Sequence, residues 1–309
     1  MPFKKVLGSV VSALIGLLLV MAVPTFAPAI QLKISGSGSG CPWSKVFSQA
    51  GYAQRLHEAI SETRNAIRNT ASDPALPIDR WAAPGAREFW IPRNGTDLDG
   101  KALLAYLISD HTVLAEQLGS DGVRPGDIVI DVGAHVGTFA DRALRRGARI
   151  VIALEPDPLN RECLTRNFAT EIREQRVVVV PQGAWSTNGQ LTLHQGTHNS
   201  GMSSIIHDDG GATFQIDVTT IDEIVERLGL PRVDFVKMDI EGAEREALKG
   251  AANTLRKFRP RMMLDAYHLP GDPVVLPQVI QTANPAYREK CGPCEILAGS
   301  LLPHVIIFL

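Results

Sequence analysis

Acidic residues and glycines stand directly after an apolar segment of this chain, where they could form a ligand site. The segment ends in Asp131 and continues through Gly133, Ala134 and Gly137. Glycine allows a tight turn from strand to helix and lets a ligand approach the backbone closely. A carboxylate at Asp131 would repel the pyrophosphate of a dinucleotide, whereas it would attract the ammonium and sulfonium groups of S-adenosylmethionine. Since the middle glycine of the dinucleotide fingerprint is also missing, we expect the turn to bind S-adenosylmethionine.

Two further positions extend this expected S-adenosylmethionine site. Glu155 ends the next apolar segment, about 20 residues after the glycine turn, where a carboxylate can accept hydrogen bonds from both ribose hydroxyls. Gly183 and Ala184 follow the third apolar segment, and their small size leaves room for an adenine. A carboxylate at the position of Glu155 also occurs in NAD-dependent enzymes, so the choice of ligand depends on Asp131.

A second acidic group, Asp239, Glu241 and Glu244, follows the fourth apolar segment. One carboxylate could contact the methionine end of S-adenosylmethionine, and another could orient or deprotonate a hydroxyl group that receives the methyl group. Glu241 and Glu244 could instead only stabilise the positive N-terminus of the next helix. The candidates for the base are Asp239 and His268. Asp239 and Asp265 could hold a divalent ion, but we assign no metal ligand.

The elements that must position these residues alternate between short strands and helices. Uninterrupted valine and isoleucine runs indicate strands covered on both faces, as in a parallel sheet. Strands are expected at 127–132, 149–154, 176–181, 233–238 and 261–266, and helices at 138–146, 159–172, near 221–228 and from 243 onward. This pattern predicts an open, doubly wound α/β sheet that binds ligands at the carboxyl ends of its strands. Extended pieces at 190–194 and 213–218 predict a hairpin above that edge.

Together these blocks resemble the FkbM-type family of S-adenosylmethionine-dependent methyltransferases. The similar motifs are IVIDVGAHVG, IALEPDP, PQGAWS, VTTIDEI, DFVKMDIEGAEREALKGA and RPRMMLDAYH. The resemblance implies a class I, Rossmann-like fold with a mostly parallel seven-stranded sheet and a reversed last strand, for which 305–309 is the candidate. His135 and Asp265 depart from the residues usual in the family, which are Asn and Glu.

The same resemblance implies methyl transfer, usually to a hydroxyl oxygen of a sugar, a polyketide or a similar small molecule. Carried over by position, the donor-binding residues are Asp131, Gly133, Gly137 and Glu155. Asp239 and Glu241 would lie at the reaction centre. Two other functions stay open: a NAD-dependent oxidoreductase, which Asp131 disfavours, and a non-catalytic, membrane-anchored binding protein on the same scaffold.

The N-terminal segment predicts a membrane anchor. Residues 6–23 are nearly all apolar, Lys4 and Lys5 precede them, and no charged side chain occurs between Val6 and Leu32. A run of about 18 apolar residues is at the lower limit for a bilayer-spanning helix and exceeds the usual core of a signal peptide. We therefore expect a single-pass anchor in the lipid bilayer, with the catalytic domain in the cytoplasm, where the methyl donor is made. The alternatives are a cleaved signal peptide and a soluble helix.

The expected domains are the anchor at 1–33, a linker with a helical preamble at 34–120, and the methyltransferase domain at 121–309. Lysine and arginine total 31 against 33 aspartates and glutamates, so no basic surplus exists for nucleic-acid binding. Four cysteines in 309 residues are too few for a disulfide-framed fold. Cys291 and Cys294 have the spacing of a redox pair but lack the long helix that should follow. We expect a buried thiol pair, a local disulfide or half of a metal site.

Overall fold

Fifteen strands are found in the part of the chain that the structure describes. This computed structural model covers residues 27–36, 40–83, 85, 87–93, 99–297 and 299–309. The strands are β1 (Arg68–Ser72), β2 (Ile78–Ala82), β3 (Glu88–Pro92), β4 (Ile128–Val132), β5 (Ile150–Leu154), β6 (Val177–Val180), β7 (Gly183–Ala184), β8 (Gly189–His194), β9 (Thr213–Thr219), β10 (Phe235–Met238), β11 (Arg261–Asp265), β12 (Glu289–Cys291), β13 (Cys294–Leu297), β14 (Ser300–Pro303) and β15 (Val305–Phe308).

Seven of these strands form the central sheet, in the order β12-β15-β11-β10-β4-β5-β6. The pairs from β11 to β6 are all parallel, and β15 is antiparallel to both of its neighbours. The sheet is therefore mixed, with one reversed strand, as the resemblance implied. Because a parallel sheet is covered on both faces, its strands can be apolar at every position.

Helices pack on both faces of this sheet. The α-helices of the described chain are α1 (Ala27–Ile34), α2 (Trp43–Ala66), α3 (Gly100–Leu118), α4 (Thr138–Arg145), α5 (Pro158–Asn167), α6 (Ala169–Arg173), α7 (Ile221–Arg227), α8 (Glu244–Lys249), α9 (Ala252–Phe258) and α10 (Asp272–Ala283). Successive strand residues point to opposite faces. In β4, Ile130 packs in the core beneath α7 to α10, while Val129 packs in the core that includes residues of α2, α3 and α4.

The segment before the central sheet is not purely helical, which corrects the expected helical preamble. Between α2 and α3 the strands β1, β2 and β3 form an antiparallel sheet. Its first strand, RNTAS, is almost entirely exposed. The sequence therefore shows none of the apolar alternation that identifies a strand with one buried face. The other strands bury Ile78, Phe89 and Ile91 against Leu104 of α3.

The expected membrane-spanning helix is not supported. None of the helices in the described part of the chain combines the length and the apolarity that a bilayer crossing requires. Helices α2 and α3 have 24 and 19 residues, but α3, for example, carries Lys101, Asp110 and Glu116. Charged groups within a span are costly. The fold-class and localisation predictions were therefore wrong in including a single-pass anchor. The apolar run at 6–23 lies outside the described residues.

Two smaller units complete the structure. Strand β9 pairs antiparallel with β8 and parallel with β7, so the extended pieces noted in the sequence do form a hairpin. Strands β13 and β14 form a second hairpin. A disulfide joins Cys294 at the start of β13 to Cys41, which precedes α2. The Sγ atom of Cys291 lies 3.9 Å from that of Cys294.

Candidate active site

A cavity, called the main cavity below, opens at the carboxyl ends of β4, β5 and β10. Its lining residues are Leu107, His111, Val132, Gly133, His135, Thr138, Leu154, Glu155, Pro156, Asn160, Gln182, Gly183, Ala184, Leu193, Gly201, Ser203, Ile205, Lys237, Asp239, Ile240, Glu241 and Ala243. This is the edge at which open α/β sheets bind their ligands.

The structure brings six of the ten expected site residues together in the main cavity. These six are Gly133, Glu155, Gly183, Ala184, Asp239 and Glu241. The other four do not line it. Asp131 is fully buried beside Lys237, Ala134 and Gly137 shape the turn, and His268 reaches Asp239 from the side.

The two glycines of the turn serve different contacts. Gly133 has a φ of +79°, and a Cβ there would lie 1.9 Å from the carbonyl oxygen of Asp239. Gly137 has a φ of +92°, and a Cβ there would lie 2.2 Å from the ring of Phe168. Gly133 thus allows the end of β4 to touch the end of β10, whereas Gly137 allows α4 to begin directly against α5.

Glu155 is held in a fixed orientation at the end of β5. Its Oε2 accepts a hydrogen bond of 2.7 Å from the backbone N–H of His135, and its Oε1 accepts one of 2.9 Å from that of Asp157. Burial and the charge of Asp157 raise the pKa of Glu155 to about 8, despite the two N–H donors. Each carboxylate oxygen keeps further acceptor capacity, so the group can receive two hydroxyl donors.

Lys237 lies between two carboxylates at the ends of β4 and β10. Its Nζ is 3.9 Å from Oδ1 of Asp131 and 3.5 Å from Oδ2 of Asp239, and it donates a hydrogen bond of 3.1 Å to the carbonyl of Gly133. Within the described chain, neither oxygen of the buried Asp131 has a hydrogen-bond partner. Burial raises the pKa of Asp131 to about 7, although Lys237 opposes the shift.

Three acidic side chains surround His268. Glu244, almost fully buried, lies 3.0 Å from its Nδ1, and the same carboxylate accepts hydrogen bonds from two backbone N–H groups of residues 240–242. On the other side of the ring, Nε2 lies 3.6 Å from an oxygen of Asp239 and 3.6 Å from one of Glu241. Glu244 therefore orients the imidazole toward the main cavity, beyond any effect it has on its own helix.

His268 and Asp239 carry opposite charges. Burial alone would lower the pKa of His268, but the hydrogen bond to Glu244 and the surrounding carboxylates raise it to about 10. Burial alone would raise the pKa of Asp239, but Lys237 and His268 outweigh it and hold that pKa below its usual range. At neutral pH Asp239 is therefore an anion and His268 a cation.

A second cavity lies next to the first, between α3 and the ends of β10 and β11. Its lining residues are Tyr106, Leu107, Asp110, His111, Leu114, Lys237, Asp239, Met263, Asp265, Tyr267 and His304. Four of these, Leu107, His111, Lys237 and Asp239, also line the main cavity. The two cavities therefore share a wall that contains Asp239.

The segment 195–206, which follows β8, spans the main cavity. The hydroxyl of Ser200 lies 2.9 Å from Nε2 of His135, and its carbonyl accepts a hydrogen bond of 2.9 Å from Asn160. Ser204 donates a hydrogen bond of 2.7 Å to the carbonyl of Glu241. The segment is thus attached to the turn after β4, to α5 and to the turn after β10.

Two groups of side chains in the described chain have the spacing of metal ligands. The ligand atoms of Asp239, Asp265 and His268 all lie within 4.8 Å of one another, as do those of the three cysteines at 41, 291 and 294. Two of the cysteines are joined as the disulfide. In the first group Nε2 of His268 has no hydrogen-bond partner among the described residues.

Sequence reasoning missed three residues of this region. Lys237 is a charged residue inside an otherwise apolar, buried strand, and that exception is a signal that could have identified it. His111 and His304 come from α3 and from the loop before β15. No motif marks either histidine, because only the packing of α3 and of the second hairpin brings them to the sheet.

Comparison with known proteins gives a consistent result. A family model described as the methyltransferase FkbM domain matches residues 131–290. Hexuronic acid methyltransferase AglP of Haloferax volcanii is 27% identical over 231 residues, which cover 74% of this chain and 87% of AglP. The 2-O-methyltransferase NoeI of Sinorhizobium fredii is 25% identical over 154 residues, which cover 44% of this chain and 62% of NoeI.

A solved structure of methyltransferase FkbM from Methylobacillus flagellatus is also similar, with 21% identity and a TM-score of 0.44 over 67% of this chain. The match covers 54% of that solved chain. This chain thus spans less than two thirds of the length of NoeI and of the solved methyltransferase.

Proposed function

The chain belongs to the FkbM methyltransferase family, and on that premise we propose that it transfers the methyl group of S-adenosylmethionine to a hydroxyl oxygen of a sugar or a similar small molecule. The observation that carries this proposal is the main cavity, in which Glu155 of β5 and Asp239 of β10 face the same space across Gly133. Two relatives support oxygen as the acceptor atom, since one is a 2-O-methyltransferase and the other a hexuronic acid methyltransferase.

The residues of the main cavity fit this donor. Glu155, already fixed by two N–H groups, would accept the two ribose hydroxyls. Gly183 and Ala184 would leave room for the adenine. Asp239 is the ionised carboxylate that lines the main cavity, and it would attract the positive charge of the ligand. Ala134 and Gly137 would contribute through the shape of the turn.

When bound, S-adenosylmethionine supplies an electrophilic methyl group on a sulfonium. The task of the chain is to align an acceptor hydroxyl with that methyl group, and alignment alone can lower the barrier by several kcal/mol, roughly 7–11 in favourable cases. Asp239, on the wall that the two cavities share, and Glu241, which lines the main cavity, are the carboxylates that would hold such a hydroxyl.

Asp239 and His268 were both candidates for the base, and their charges distinguish them. A protonated imidazole cannot accept the hydroxyl proton, whereas the ionised Asp239 can. We therefore assign Asp239 as the base and hydrogen-bond acceptor for the hydroxyl. His268 would act through Asp239, as a cation that keeps this carboxylate ionised.

The test is calorimetric titration of the full chain with S-adenosylmethionine, with its demethylated product and with NAD. The Glu155→Gln variant should lose most of the affinity for the first two ligands. Glu226→Gln changes an exposed carboxylate of α7 in the same way and should retain it. Binding of NAD in preference to the methyl donor would contradict the proposal and favour an oxidoreductase. A folded chain that binds none of the three ligands would also refute it.

A further inference from the structure

The second cavity is rich in groups that recognise hydroxyls. Tyr106 and Asp110 reach it from α3, Asp265 and Tyr267 from the end of β11, and His304 from the loop before β15. Asp265 accepts a hydrogen bond of 3.1 Å from the hydroxyl of Tyr267. A phenol both donates and accepts hydrogen bonds and a carboxylate accepts them, so both are suited to a polyhydroxylated ligand.

The positive charges of this cavity are already matched by negative ones. Lys237 lies between Asp131 and Asp239, as described above. His304 has one ring nitrogen 3.4 Å from Oδ1 of Asp110 and the other 3.2 Å from Oε2 of Glu295. Each cation therefore has two carboxylate neighbours.

His111, the third basic side chain that lines the second cavity, adds no positive charge. Burial lowers the pKa of His111 to about 4, so its imidazole is neutral at pH 7. Arginine is absent from the residues that line either cavity in the described chain. A ligand carboxylate placed here would thus meet Asp110 and Asp239 without an unpaired cation to balance it.

We propose that the second cavity binds the methyl acceptor, and that it selects a neutral or amine-bearing sugar or polyol over a hexuronate. The proposal rests on the proposed function, because the acceptor must reach the wall that holds Asp239. Burying a carboxylate without a counter-charge is costly, and like charges at close range select against the wrong partner. In acceptor charge this chain would differ from AglP, the hexuronic acid methyltransferase to which it is similar.

Several residues that line the second cavity lie outside the family domain, which agrees with an acceptor specificity particular to this chain. Tyr106, Asp110 and His304 lie outside the part matched by the family model, 131–290. The donor side, in contrast, lies almost wholly inside it. The segments that flank the family domain therefore supply three of the five polar groups named above.

The experiment compares three methyl glycosides on the same pyranose ring: the neutral methyl glucoside, methyl glucosaminide with an ammonium at C2, and methyl glucuronide with a carboxylate at C6. Binding to the full chain is measured by calorimetry with the demethylated donor product present, so turnover is not needed. We expect the glucoside or the glucosaminide to bind, and the glucuronide to bind at least tenfold more weakly than the better of them. Equal or tighter binding of the glucuronide would overturn the proposal, and so would the failure of all three probes on a chain that binds the donor product.

A gain-of-function variant provides a second readout. Leu107→Arg adds a cation to the half-buried wall shared by the two cavities and should improve glucuronide binding at least tenfold. Gln278→Arg adds the same charge to an exposed site on α10 and should not. If the two variants bind the glucuronide equally, local charge does not set the preference and the proposal fails. If the wild-type chain does not bind the demethylated donor product, the proposed function itself is refuted.

Discussion

Replacing Gly133 with alanine should damage catalysis far more than its size suggests. The added Cβ would lie 1.9 Å from the carbonyl oxygen of Asp239, and real Cβ atoms almost never approach closer than 3.0 Å. The end of β10 must therefore retreat by about 1 Å, a displacement that can reduce the rate about 100-fold when it moves a catalytic group. We expect a fall of about that size in kcat/KM.

The free energy of unfolding distinguishes the effect of the steric contact at Gly133 from the effect of its left-handed backbone conformation. A left-handed conformation costs alanine about 1–2 kcal/mol, and overpacking adds about 1–3 kcal/mol. Gly126 is the matched control, because its φ is +84° and a Cβ there would meet nothing within 4 Å. Gly126→Ala should pay the backbone cost alone and keep its activity.

The assay pairs urea denaturation with methyl-transfer kinetics on the wild type and the two variants. If Gly133→Ala loses no more stability and no more kcat/KM than Gly126→Ala, the close approach of β4 and β10 does not position Asp239. The assignment of this carboxylate as the base would then lose its structural support.

Three further predictions address charge and covalent structure. Glu155→Gln should weaken binding of S-adenosylmethionine about 10- to 100-fold. Because the ribose hydroxyls favour the ionised form of Glu155, whose pKa is about 8, the affinity of the wild type should rise with pH up to that value. Calorimetry should show a shallower rise in the variant. Glu244→Gln should lower the pKa of His268 by about 1–3 units and move the alkaline limb of the pH–rate profile to lower pH, whereas a purely structural loss would lower the rate at every pH alike. Cys41→Ser opens a loop of 253 residues and should lower the free energy of unfolding by about 5 kcal/mol; urea titration of the wild type with reductant should give the same loss.

The parts of the fold that could be predicted are those in which local sequence determines the structure. A buried parallel strand must be apolar throughout, and the turn after it needs glycine where φ is positive, so β4, β5 and Gly133 are visible in the sequence. The strand β1 is short and exposed, and its sequence RNTAS resembles a loop. Its pairing with β2 supplies the order that its composition does not indicate.

Side-chain direction and long-range contacts were harder to infer. Asp131 ends a strand, but strand residues alternate between faces, and its carboxylate points with Val129 toward α3 and α4 rather than into the main cavity. The sequence places Glu244 in the acidic group or at a helix N-terminus but does not predict its contact with His268, because the turn after β11 that brings His268 to it is distant in sequence. The partner of Cys294 was missed for the same reason, since Cys41 lies 253 residues away.

That disulfide also changes what a protease can do to the molecule. Most of the chain, including six of the seven strands of the central sheet, lies between its two cysteines. A single peptide bond hydrolysed anywhere in this interval would leave two fragments joined through sulfur, so the nicked protein would migrate as one species until it is reduced. Cleavage and separation are therefore independent events for this protein, and the second is controlled by the thiol chemistry around Cys294.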